Sequence, residues 1–196
     1  MSRRLAVSLV SLGFACAAIG SRAEDVPAEL AHYADEARAA AKAMGGKLQG
    51  ELKAAIAAGG PVSAVQLCNT RAPQIADEQS KTSGMTIRRT ALKVRNPANA
   101  PDALERQVLE DFAAKIAGGA DVASLEHIEK VSDGGKTVVR YFKAIPTAKE
   151  PCLACHGSDV NGELKSAIDQ LYPHDQATGF KEGDLRGAFS ITMDAK

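Results

Sequence analysis

The chain has 196 residues, of which 45% are hydrophobic and 24% charged, so its length and composition suit one globular domain and exclude a disordered or collagen-like chain. Lys plus Arg and Asp plus Glu number 24 each, which leaves no basic excess of the kind that binds nucleic acids. Aromatic residues make up 4% and tryptophan is absent. The core must therefore be built from Ala, Val, Leu and Ile, or around a group that the sequence does not supply.

Residues 1–23 have the pattern of a secretory signal peptide. An arginine pair precedes an apolar stretch over 5–18, and small residues stand at the expected cleavage position. The apolar stretch is too short for a spanning helix, and no later segment could cross a bilayer. We therefore expect a periplasmic protein with a single domain at 24–196, which is mildly acidic because the leader takes away three arginines and no acid.

The segment that follows the leader predicts two helices. Apolar residues recur at steps of three and four from about 27 to 58, which indicates a long amphipathic helix. Gly59-Gly60 ends this helix, and Pro61 is well suited to begin a second one over roughly 61–79. The second helix groups four residues on one inward face: Val65, Cys68, Ala72 and Ile75.

The rest of the chain predicts an antiparallel sheet with an inserted helix. A capping box from Asp102 to Glu105 opens a helix that ends at Gly118-Gly119, and a short helix is expected at 163–171. Asp133-Gly134-Gly135 is a hairpin signal. Strand-like runs lie at about 85–94, 124–131, 137–145 and 185–193. The expected fold class is α+β, with about four strands, two N-terminal helices and the inserted helix.

Cys152, Cys155 and His156 form a C-x-x-C-H motif, the signature of c-type haem attachment. Two thiols at this spacing reach the two vinyl groups on one edge of a porphyrin, and the adjacent histidine can then ligate the iron. A structural zinc site would need a second Cys/His pair at finger spacing, and a thioredoxin-like disulfide would leave the histidine without a role. The motif therefore predicts one covalently bound haem c.

Residue spacing leaves the second axial ligand of the iron open. The candidates are Cys68, His32, His127, His174, Met44, Met85 and Met193. Cys68 differs from the others because it is an odd, inward-facing thiol in a protein expected in an oxidising compartment. A buried cysteine that serves as a small apolar residue explains the pattern equally well.

Four arginines are candidates for pairing with the haem propionates: Arg88, Arg89, Arg95 and Arg140. We expect most of them to form the solvent-exposed face of the sheet. Arg95 is the best exception, because it adjoins the rigid turn that begins at Asn96-Pro97.

The chain resembles a family of bacterial single-haem proteins with a PAS-like fold, known mainly as a domain of unknown function and also found as the sensing half of signalling proteins. The resemblance extends from about Leu30 to Lys196, and position 180 is Phe where the family usually has Tyr. It is carried by residues 65–68, 72–76, 95–102 with Glu105, 152–156, 175–180 and 183–190. The resemblance implies axial ligation by His156 and Cys68, and hence a low-potential haem, because a thiolate donates electron density to ferric iron.

Two functions are compatible with these features. The first is a redox- or ligand-responsive haem protein of the periplasm, which needs a separate signalling or redox protein as its partner because the chain contains no output domain. The second is a periplasmic electron-transfer cytochrome c. Enzyme activity is disfavoured, since no distal acid–base pair stands out, and neither nucleic acid nor a membrane is expected as a partner.

Overall fold

The computed structural model describes residues 26–196, so the expected signal peptide at 1–23 lies outside the described residues. No helix in the described range is both long enough and apolar enough to span a membrane. In chain order, the helices and strands are α1 (Ala31–Ser83), β1 (Thr86–Thr90), α2 (Ala103–Ala117), β2 (Glu126–Asp133), β3 (Lys136–Pro146), α3 (Cys152–His156), α4 (Gly162–Leu171) and β4 (Leu185–Asp194).

Helix α1 is broken where the glycine pair predicts a helix end. Gly59 and Gly60 have non-helical backbone angles, and Gly60 has φ 73° and ψ −174°, a conformation that residues with a Cβ rarely adopt. The break divides α1 into an N-terminal arm at 31–58 and a C-terminal arm at 61–83. The two predicted helices are therefore present, and the second runs four residues beyond its expected end.

A network of ion pairs joins the two arms of α1. Arg71 of the C-terminal arm binds both carboxylate oxygens of Glu51 of the N-terminal arm at 2.8 and 2.9 Å, and it also pairs with Glu78. Lys47 of the N-terminal arm lies 3.0 Å from Glu78. These contacts hold the arms side by side at the level of Cys68, one helical turn before Arg71.

The strands form a four-stranded antiparallel sheet in the order β1-β4-β3-β2. The α+β prediction, with an antiparallel sheet of about four strands, two N-terminal helices and an inserted helix, is confirmed. Strand β1 is shorter than its predicted run of 85–94. The chain leaves the sheet after Thr90, and the N–H of Ala91 donates to the carbonyl of Asn99 in the following turn.

Helices cover both faces of the sheet. The N-terminal arm of α1 buries Ala37 and Met44 against Tyr141 and other residues of one face. Helix α2 buries Leu109 and Phe112 against the opposite face. A smaller cluster joins the C-terminal arm to α4, and it consists of Val65, Leu164, Ile168 and Tyr172. Burying side chains of this size contributes about 1.5–3 kcal/mol each, so these clusters fix the positions of the elements around the site.

The arginines on the α2 side of the sheet correct one expectation. Arg88 and Arg140 do not form a solvent-exposed face, because helix α2 covers them and its fully buried Glu105 accepts hydrogen bonds from both. The Glu105 carboxylate also accepts the N–H of Asp102 at 2.9 Å, which completes the predicted capping box. The alternation of residues along a strand shows which side chains share a face. It does not show that the helix packed on that face carries a carboxylate, so the position of these two arginines was predicted wrongly.

Candidate functional site

A large cavity lies between the two arms of α1 and the ends of β1, β3 and β4. It encloses about 1270 Å³ of atom-free space, including the part open to solvent. Much of its wall is apolar, with contributions from Leu48, Leu52, Ile56, Val65, Ile145 and Phe189. The apolar wall can hold a large flat hydrophobic group.

The cavity brings together the site residues predicted from sequence. Cys68 lines it from the C-terminal arm of α1, and Cys152, Cys155 and His156 line it from α3. All three cysteines in the described range have free thiols. Thiols and an imidazole from two distant parts of the chain therefore face one space.

The other candidates for the second axial ligand lie away from this cavity. Met44 and Met193 are buried in the core between α1 and the sheet, and Met85 packs beside that core. His32 and His174 are exposed, and His127 is a half-buried residue of β2. Among the described candidates, Cys68 alone lines the cavity.

Backbone hydrogen bonds fix the short helix α3 in place. The carbonyl of His156 accepts the N–H of Phe180 at 2.9 Å, and the carbonyl of Gly157 accepts the N–H of Gly179 at 3.0 Å. A Cβ at position 157 would lie 2.6 Å from the carbonyl oxygen of Leu153, so only glycine permits this close turn after the motif. The segment at 177–180 thus holds α3 and its motif in a defined position.

His156 is held in one tautomer by its surroundings. Its Nδ1 lies 2.7 Å from the carbonyl oxygen of Ala177, and because a carbonyl only accepts, Nδ1 must carry the proton. Nε2 is then the nitrogen with the lone pair. Burial, reinforced by Arg186 and Arg95, lowers the pKa of His156 to about 2. The imidazole is therefore neutral at physiological pH, the form in which histidine binds a metal.

The thiols of Cys68 and Cys155 are protonated in this environment. Burial raises the pKa of both, while nearby arginines act in the opposite direction: Arg89, Arg95 and Arg186 for Cys68, and Arg95 for Cys155. A bound cation would overcome this burial effect, because a coordinating thiol is deprotonated by the metal. Both thiols are therefore weak nucleophiles at neutral pH, since the thiolate is the reactive form.

Arg95 anchors the loop that supports the motif. Its guanidinium binds the carboxylate of Asp175 at 3.1 and 2.9 Å and donates to the carbonyl of Cys155 at 2.7 Å. The Arg95 and Asp175 side chains are 9% and 4% exposed, so this is a buried ion pair. Arg95 was the arginine favoured for pairing with a haem propionate; it lines the cavity, but its charge is already balanced by Asp175.

Arg186 also lines the cavity, and sequence reasoning missed it. Regular alternation along β4 places Arg186 on the same face as Ala188, under α2. The register of the β3–β4 pairing shifts between Ile145 and Pro146. At this irregularity Arg186 lines the cavity and does not lie under α2 with Ala188. Gly187, isolated within an otherwise regular strand pattern, was the sequence signal for it.

The topology, a helix-covered four-stranded antiparallel sheet with a cavity beneath the N-terminal helix, defines an α+β protein of PAS-like architecture. Residues 21–194 match the model of the Tll0287-like family, described as Tll0287, and the chain belongs to that family. The fold is similar to the crystal structure of the cyanobacterial heme-protein Tll0287, with 26% sequence identity and a TM-score of 0.55 over 87% of this chain and 98% of that chain. No curated protein matches the chain significantly.

Proposed function

We propose that the protein is an exported mono-haem c-type cytochrome that acts in redox or small-ligand sensing in the periplasm. In this proposal Cys152 and Cys155 bind the haem covalently, and His156 and Cys68 are its axial ligands. The observation that carries it is the convergence of these four residues on one large, mostly apolar cavity. The similar solved structure, titled a heme-protein, supports the same cofactor.

The residues of the cavity fit a haem group. Apolar side chains line much of the wall, the imidazole is neutral and hydrogen-bonded through Nδ1, and the thiol spacing matches two vinyl groups. When bound, the haem supplies an iron atom that changes oxidation state and whose axial position can accept a small molecule. Cys68 would supply a soft sulfur ligand from the C-terminal arm, and His156 would supply its neutral imidazole from α3.

The position of Cys68 favours sensing. The break at Gly59-Gly60 separates the C-terminal arm, which carries Cys68, from the N-terminal arm, and half-exposed ion pairs through Arg71 join the two. A sulfur–iron bond at Cys68 would therefore link the C-terminal arm, on the far side of the helix break, to the haem motif. Such a link forms a two-state element that a change at the iron can bias. In this proposal a separate protein recognises this arm and supplies the output.

The axial ligands can be tested on holoprotein made in cells that attach haem c. Mass spectrometry should show one covalent haem, which is lost in the Cys152→Ala/Cys155→Ala variant. Cys68→Ala should lose the thiolate-ligated low-spin ferric EPR and optical signature. Met193→Leu, which removes the methionine nearest the chain end, is the matched control and should keep that signature. An unchanged Cys68→Ala spectrum would show that the sulfur is not a ligand, while covalent haem would stand.

Binding of carbon monoxide to the ferrous protein separates sensing from electron transfer. Sensing predicts that carbon monoxide binds with loss of the thiolate bands, and that limited proteolysis after residue 60 becomes faster. A six-coordinate haem that rejects carbon monoxide and exchanges electrons rapidly would instead indicate a periplasmic electron-transfer cytochrome.

A further inference from the structure

We propose that Arg89 and Arg186 form a carboxylate-binding pair that holds both propionates of the haem. This inference rests on the proposed function and gives the polar side of the cavity the role of binding the propionates. Both guanidinium groups come from the sheet, from β1 and β4 respectively, and both residues line the cavity.

The first support is that neither arginine has an acidic partner in the part of the chain that the structure describes. Within residues 26–196, neither Arg89 nor Arg186 has a carboxylate at salt-bridge distance. Arg186 donates a long hydrogen bond of 3.5 Å to the carbonyl of Lys93 and lies over the ring of Phe180 at 5.4 Å. By contrast, five other arginines each pair with a carboxylate: Arg38, Arg71, Arg88, Arg95 and Arg140.

The second support is the electrostatic cost of leaving these cations uncompensated. Burial, together with repulsion from Arg95 and Arg89, lowers the pKa of Arg186 to about 10, and burial lowers the pKa of Arg89. Arg186 nevertheless remains charged at neutral pH. Buried charges are stable in proteins when they are paired, so the site is built for an anionic group.

The third support is the charge balance of the complete site. Asp175 neutralises Arg95, which leaves two positive charges from Arg89 and Arg186. A ferric iron, a porphyrin dianion and one thiolate sum to zero, while the two propionates carry two negative charges. The two arginines therefore balance the propionates, provided that one axial ligand is a thiolate. Charge-assisted bonds between arginine and carboxylate are also the strong, geometrically specific kind.

The test compares ferric haemin with haemin dimethyl ester, which keeps the vinyl groups and the iron but lacks both carboxylates. Full-chain apoprotein is titrated with each, and the two dissociation constants are measured by absorbance. The wild-type protein should bind haemin at least about tenfold more tightly than the ester, since each charged hydrogen-bonded pair is worth roughly that factor. The Arg89→Gln/Arg186→Gln variant should lose the preference, and Arg89→Lys/Arg186→Lys should keep part of it.

The control variant is Lys136→Gln/Lys149→Gln, which removes two exposed positive charges that do not line the cavity. It should retain the wild-type preference. Equal affinity of the wild-type protein for haemin and ester would overturn the propionate assignment and leave haem binding intact. A preference that persists in the Arg89→Gln/Arg186→Gln variant would show a steric effect of the ester and also overturn it. Failure of the wild-type protein to bind either compound would count against the proposed function itself.

Discussion

Arg95 and His156 donate hydrogen bonds to the same carbonyl oxygen, that of Ala177, at 3.2 and 2.7 Å. Asp175 completes the arrangement, because its carboxylate binds Arg95 and also accepts the N–H of Ala177 at 2.9 Å. Arg95 reaches the carbonyl of Cys155 as well. The ion pair of Arg95 and Asp175 therefore orients the imidazole through the backbone, before any group binds to the ring.

Asp175→Asn should strongly destabilise the protein. The change leaves the guanidinium of Arg95 buried without its counter-charge, and breaking a buried pair in this way costs about 3–5 kcal/mol. Urea unfolding followed by circular dichroism measures the free energy of unfolding. Asp169→Asn is the matched control, because it breaks an exposed i,i+4 pair with Lys165, for which we expect less than about 0.5 kcal/mol. Equal small losses in the two variants would contradict the role given to Asp175.

Glu105→Gln should destabilise the opposite face of the sheet. The side chain keeps its size and can still accept the N–H of Asp102, but it no longer balances Arg88 and Arg140. We expect a loss of about 1.5–3 kcal/mol, the range for hydrogen bonds to charged groups. Thermal or urea unfolding measures it against Glu110→Gln, an exposed position of the same helix where the change should stay within about 0.5 kcal/mol. A variant as stable as the control would show that Asp102 alone satisfies Arg140.

The pair of Arg38 and Glu126 should make stability depend on pH. The hydrogen bond from Arg38, with another from the hydroxyl of Tyr141 at 2.7 Å, lowers the pKa of Glu126 below its ordinary value. A carboxyl group whose pKa is lower in the folded than in the unfolded state stabilises the fold above the unfolded pKa of about 4.3. That contribution is lost as the pH falls through the folded pKa.

Unfolding curves of Glu126→Gln and wild type between pH 7 and pH 3 measure this contribution. The variant should be the less stable protein at neutral pH, and the difference should shrink below about pH 4. Arg38→Gln should reproduce the same pH dependence, because it removes the group that lowers the pKa. A difference that stays constant across this range would mean that Glu126 acts by packing and not by its charge.

The sequence predicts those parts of the molecule that depend on local patterns. The helix break follows from Gly59-Gly60, the capping box from Asp102 and Glu105, and the strands from their alternation, and the structure has all of them. The grouping of Cys68 with the C-x-x-C-H motif depends on how α1 folds back over the sheet. No local pattern encodes that distance, so the residues alone left Cys68 open, and the resemblance to a known family was needed to choose it.

The positions of the arginines could not be predicted from local sequence patterns. Arg88 and Arg89 are neighbours with the same side chain, yet one binds Glu105 under α2 and the other lines the cavity. Their assignment requires knowing what covers each face of the sheet. To place Arg186, one must also know that the register between β3 and β4 is irregular. That irregularity is a property of the strand pair and not of either strand alone. Charged side chains were therefore predicted less well than apolar ones.

Two glycines of helix α1 should respond to the same substitution with opposite sign. Gly60 has φ 73° and ψ −174° at the break, so Gly60→Ala should cost about 1–3 kcal/mol of stability through backbone strain. Gly46 lies inside the N-terminal arm, and a Cβ there meets nothing within 4 Å. Gly46→Ala should therefore stabilise the protein by about 0.5–1 kcal/mol, because alanine loses less conformational freedom in a helix.

Differential scanning calorimetry or urea unfolding of both variants measures this contrast. Both variants make the same chemical change, so the intrinsic effect of adding a methyl group is the same in each. An opposite sign of the two changes in unfolding free energy therefore reports the backbone conformation at each position. Stabilisation by Gly60→Ala would mean that α1 runs through position 60 as one continuous helix. A continuous helix would carry Cys68 away from the motif, so this outcome would also remove the cavity on which both proposals depend.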